Sequence, residues 1–172
     1  IAHGLALVSV LLLFLGTCGL ARMLGAPDRL AFSALVTYGF AAVAIMIAAS
    51  VSGWIVPDIM TMMVRDVPGN GGMWRVVIAS MFRINQAMSR IYAVGAAMAI
   101  VLWSVSSLRM GQLSRWVAIF GCGTAPLIAV LILVGHLRLD VHGMTVVMLS
   151  EVVWFVGMGV GLMRSEEAAT QP

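Results

Sequence analysis

Five stretches of this chain, about residues 1–21, 30–56, 88–108, 116–136 and 141–163, are each apolar over a length that suits a membrane span. An α-helix needs ~20 such residues to cross the hydrocarbon core of a bilayer. That constraint outweighs any local motif, and the fold expected from it is an all-α, polytopic transmembrane helical bundle of about five membrane-spanning helices. Residues 1–164 form its single domain, and residues 165–172 a polar tail expected to be disordered. Composition agrees: 62% hydrophobic and 10% charged residues, with a mean hydropathy of +1.06, leave too little polar surface to coat a soluble globule.

All of the excess positive charge comes from arginine, since the ten basic residues are Arg and none is Lys. They are scattered without a cluster, so no nucleic-acid partner is expected. A chain without lysine also forms no retinal or pyridoxal Schiff base and has no phosphate-loop lysine. Three His exclude the histidine boxes of membrane di-iron enzymes, and neither His-Glu-x-x-His nor Gly-x-Ser-x-Gly occurs. The chemistry expected is therefore not ordinary catalysis.

The first run lacks the basic start of a secretory signal and is longer than one, so it reads as a span closed by Arg22. In the second, Ala41, Ile45, Ala49 and Gly53 recur every four residues, a pattern that lets another helix approach closely in lipid. Pro57 and Asp58 are expected to end that helix. Residues 57–87 should form an interfacial loop and a partly wet helix, with Arg75, Arg83, Gln86 and Arg90 on one helical face. Met60, Met62, Met63, Met73 and Met81 offer thioethers to Cu(I), but they suit an interfacial helix equally well. Pro126 should bend the fourth span or free a carbonyl within it. In the fifth, Gly157 and Gly161 make a small-xxx-small packing pair, with no strand before them and no further Gly to complete a dinucleotide fingerprint.

Two places concentrate polar groups. The turn 135–143 carries His136, Asp140 and His142 between two spans, and Asp140 is placed to cap the helix that follows. With five spans, His3 falls at the same membrane face. The three His and Asp140 are thus a candidate site for haem, copper or zinc. The other place is Glu151, the one acidic residue inside a span. It should face the bundle interior, paired with Arg90 at similar depth or with a hydroxyl, as a pinning ion pair or part of a pathway.

Three functions follow as expectations. The leading one is a non-enzymatic accessory or assembly subunit packing, within the lipid bilayer, against other membrane-protein subunits or itself. The second is a metal- or haem-binding redox or sensor protein built on the histidines, and the third a small transporter built around Glu151. Arg22, Arg29, Arg109, Arg115 and Arg164 flank spans on one face, which the positive-inside rule makes cytoplasmic. The C-terminus would then be cytoplasmic, in a bacterial inner membrane.

Overall fold

The computed structural model describes residues 2–24, 29–65, 71–111 and 114–170, excluding the side chains of residues 2, 3 and 164–170. The described residues are helical apart from short turns. In order they form α1 (Ala2–Met23), α2 (Arg29–Ser50), a π-helical turn (Val51–Ile55), α3 (Val56–Arg65), α4 (Gly71–Met110), α5 (Arg115–Leu133) and α6 (Val141–Thr170). Five continuous helical stretches are long and apolar enough to span a membrane: Gly4–Met23, Arg29–Arg65, Gly71–Met110, Arg115–Leu133 and Val141–Met163.

The seam between α2 and α4 is the most intimate in the molecule. Its α2 side buries Ala31, Ala34, Tyr38, Ala41 and Ala48; its α4 side buries Ser89, Ala93, Ala96, Ile100, Trp103 and Ser107. These positions advance by alternating steps of three and four, with one step of seven from Ala41 to Ala48 across the half-buried Ile45, the 3.5-residue repeat that keeps one stripe facing a partner along two long helices. Small side chains hold the backbones close: a Cβ on Gly95 would stand 3.0 Å from that of Ala41. The expected every-fourth-residue face is thus only partly used. Ala41 is buried, whereas Ala49 and Gly53 are only half-buried, because a stripe of period four drifts around the helix away from α4.

Pro57 does not end the second span. Proline lacks the N–H that a helix would use four residues back, and here the chain widens into the π turn just before it, with the Val56 N–H bonded to the Val51 carbonyl. The Ser50 and Ser52 hydroxyls donate to the Met46 and Ala48 carbonyls at 2.8 and 2.9 Å. Helix then resumes as α3, so part of the expected loop at 57–87 is helical on both sides. Residues 66–70 of the expected interfacial loop lie outside the described residues.

At that end the hairpin of α3 and the first half of α4 stands clear of the other helices. Gln86 marks the level, its Nε2 donating to the Leu139 carbonyl in the α5–α6 turn at 3.1 Å. Residues 71–86 of α4 lie beyond this point, on the order of 20 Å of helix. Arg75, Arg83 and Arg90 are all exposed.

Gly135 ends α5 with φ +78°, a left-handed conformation that glycine adopts without steric cost. The Leu137 N–H turns back to the Leu131 carbonyl at 2.9 Å. Pro126 sits inside α5 on its exposed side. Gly157 of α6 faces α5 closely enough that a Cβ would meet Val117 Cγ2 at 2.8 Å, while Gly161 is half-buried. The tail differs from expectation: α6 stays helical to Thr170, since Glu and Ala after Arg164 are good helix formers.

Candidate functional site: an acidic cavity within the bundle

The end of α2, the π turn, α4 and α6 diverge, and α1 closes the gap only loosely. Between them lies a cavity of about 530 Å³. Ala6, Ser9, Val10 and Leu13 of α1 form one wall; Tyr38, Ile45 and Ala48 of α2 and Ser89 and Tyr92 of α4 form the opposite one. Ser52 and Asn85 line it toward the hairpin, and α6 contributes Met144, Met148, Glu151 and Phe155.

Glu151 is 5% exposed and accepts a hydrogen bond from the Tyr92 hydroxyl. The Tyr38 phenol comes from α2 to the same place, close enough to interact electrostatically with Glu151 and Tyr92, so two phenols from two helices converge on one carboxylate. Tyr38 also packs edge-on against Phe155, with ring centroids 5.6 Å apart. Beneath them Trp103 and Trp154 stack at 5.9 Å, and the Trp154 indole N–H donates to Ser104 Oγ at 3.0 Å. This aromatic layer fixes α6 against α4, where large rings fill a gap that small residues close between α2 and α4.

Glu151 faces inward as expected, but Arg90 does not reach it. Arg90 is exposed, while Tyr92 is buried on the opposite side of α4. Two residues along an α-helix turn the side chain by about 200°, so a match in depth was insufficient: the hydroxyl, not the guanidinium, faces α6. The tyrosines escaped the sequence reading, although a signal for them exists. Tyr38 and Tyr92 are the chain's only two Tyr, both lie in apolar runs, and a phenol buried in such surroundings requires a hydrogen-bond partner. Glu151 is the acidic acceptor available within the spans.

The turn 135–143 has the expected cap and no assembled ligand set. The Gly143 N–H donates to Asp140 Oδ1 at 3.0 Å, and a Cβ on Gly143 would overlap the Arg138 carbonyl. That N–H, above all, holds the Asp140 carboxyl below the usual carboxylate range, with the His142 N–H and the nearby His142 and Arg138 charges acting in the same direction. His136, Asp140 and His142 are exposed. The His3 side chain lies outside the described residues. Among the described residues, no three His, Cys, Asp or Glu side chains are grouped as metal ligands would be, and the haem, copper or zinc reading gains no support. Cys18 and Cys122 are free thiols, and Met60, Met62, Met63 and Met73 are exposed. No known protein family, curated protein or solved structure matches this chain.

Proposed function

We propose that the protein binds an organic cation, an ammonium compound, inside the membrane and carries it as a small transporter. The observation behind this reading is Glu151: a carboxylate buried on the wall of a cavity, with a tyrosine hydroxyl as its hydrogen-bond partner and Arg90 turned away. A buried carboxylate of this kind favours a bound positive charge. A bare metal ion would want several oxygen ligands, whereas the walls here supply one carboxylate among hydroxyls and rings. Aromatic rings attract ammonium groups, and Tyr38, Tyr92 and Phe155 line the cavity. A volume near 530 Å³ lies within the common range for sites that hold small organic molecules.

Glu151→Gln keeps the shape and hydrogen-bonding capacity of the side chain but removes its charge. Butylamine binding to the purified protein, measured by calorimetry at neutral pH, is expected to weaken roughly ten- to hundredfold, the worth of a charged hydrogen bond. Equal binding by both forms, or none by the wild type, would remove this reading.

The accessory-subunit reading is kept as a second proposal because of the hairpin. Met60, Met62, Met63 and Val64 of α3 and Met73, Val76 and Phe82 of α4 are exposed large apolar side chains on helices that extend past the bundle. Such a surface suits packing against another membrane protein or a second copy.

For orientation in a bacterial inner membrane, we propose that the face with Arg22, Arg29, Arg109, Arg115 and Arg164 is cytoplasmic, and with it the C-terminus. These five sit at span ends, while on the opposite face Arg138 alone lies in a short turn between two spans, and Arg65, Arg75 and Arg83 lie out on the hairpin, with Arg90 further along α4. An alkaline phosphatase fused after Pro172 should be inactive in cells. Strong activity would reverse the orientation.

A further inference from the structure

A second cavity, of about 420 Å³, runs between α1 and α6 and is lined by Ser9, Leu12, Leu13, Gly16, Thr17 and Leu20 on one side. Phe155, Met158, Gly159 and Leu162 form the other side. Ser9, Leu13 and Phe155 also line the Glu151 cavity, so the two volumes adjoin through shared walls. Together they follow α1 from Ala6 to Leu20, about 21 Å of helix at ~1.5 Å per residue. That is most of the ~30 Å thickness of a bilayer's hydrocarbon core. One end carries the buried carboxylate, the phenols, Ser52 and Asn85; the rest is nearly all hydrocarbon.

α1 packs on α2 and makes little close backbone approach to α6. Leu12 and Leu13 on one rim and Val156 near the other are exposed, so the groove opens sideways, toward where lipid tails lie. Gly16 and Gly159 widen it: a Cβ added at either would meet nothing within 4 Å. The glycines facing a packed helix behave differently, as Gly157 shows against Val117.

From this we infer that the ligand is a long-chain amphiphile with an ammonium head, its head at Glu151 and its single hydrocarbon tail lying in the α1–α6 groove. The inference rests on the ammonium site proposed above and assigns the class of molecule that fills it. An acyl-type tail is the occupant that the geometry favours. The groove is apolar, follows about 16 Å of α1 from Ser9 to Leu20, opens to lipid, and joins a charged pocket only at one end. A helix from another protein would need a broader face, and a compact cation would leave the groove unused. Entry would be lateral, from the bilayer, with the tail moving from lipid to protein. Because lipid and groove are equally apolar, the tail is held by packing against both walls rather than by escape from water.

The test uses the full chain in phosphatidylcholine nanodiscs and two probes, butylamine and a 16-carbon primary amine brominated in mid-chain. The bromine reports saturable quenching of tryptophan fluorescence, since Trp103 and Trp154 pack against Phe155 on the groove wall. Calorimetry reports butylamine. Gly159→Leu and, independently, Gly16→Leu place a branched side chain in the open groove from opposite walls. Each is expected to weaken the long-chain amine about tenfold and leave butylamine unchanged. Glu151→Gln should weaken both amines. Two separate walls protect the test against a folding defect in one variant, and butylamine binding reports that the head site is intact. If butylamine binds but the long chain binds no better, or both leucine variants leave it unaffected, the tail assignment is wrong while the ammonium site stands. If neither amine binds, both readings fall.

Discussion

Trp154→Ala should cost the bundle about 3–5 kcal/mol, the range for emptying a large buried aromatic site. Trp154 is 1% exposed, stacks on Trp103 and meets Phe155 edge-on with ring centroids 5.1 Å apart. It bridges α6 to α4 through Ser104. Backbone contact between these two helices is slight beside that between α2 and α4, so little else can close over the space. In lipid the loss is chiefly one of contact, since a cavity has no atoms on its far side to replace the dispersion attraction. Reversible unfolding in mixed micelles is the measurement. Trp154→Phe is the control: it keeps an aromatic ring but gives up the indole N–H bond, expected to cost about 1 kcal/mol. A loss below ~1 kcal/mol for Trp154→Ala would mean that the aromatic layer does not hold α6.

Gly121→Ala should destabilise by about 1–3 kcal/mol or more, and its sign is diagnostic. Helix propensity alone favours Ala over Gly in a helix interior by about 1 kcal/mol, so an unhindered site would gain. Here a Cβ would overlap Ser104 Oγ and Trp154 Nε1, with Trp154 Cδ1 at 2.7 Å. Those two side chains are bonded to each other, so neither can yield without breaking that bond. The same unfolding assay applied to Gly121→Ala, Trp154→Ala and the double variant should reveal strong coupling, because removing the indole takes away its share of the clash and frees the Ser104 hydroxyl, no longer bonded to it, to rotate aside. Additive losses would show that Gly121 is not pressed against this pair.

That the chain forms five helices long and apolar enough to span a membrane could be read from the sequence, because span length is set by bilayer thickness, a constraint independent of partners. What could not be read is rotation about each helix axis. Ala41 to Gly53 admits a stripe of period four or of period 3.5, and only the presence of a long partner selects the second. Arg90 and Tyr92 differ by half a turn, and depth along the axis cannot distinguish them. Glu151 was legible as a candidate because a carboxylate inside an apolar run is anomalous in itself. Its tyrosine partners were less so, since an isolated Tyr is unremarkable in a membrane span. Pro57 misled for a local reason: a proline ends a helix unless the turn before it widens, and whether it widens depends on backbone hydrogen bonding that residue types alone do not specify. The cap at Asp140 was recoverable because cap and capped N–H lie within one turn of each other.

The π turn at Val51–Ile55 also acts as a change of phase. A turn of this kind holds one residue more than the α-helical path would use, and one residue corresponds to about 100° of rotation. The side of α3 that meets α4, and the side left bare, are therefore set relative to the α2 stripe by backbone winding at the base of the hairpin. Removing one residue there and restoring a regular helix would turn Met60, Met63 and Val64 about the axis together, redirecting the whole exposed face of α3 without altering a single side chain on it.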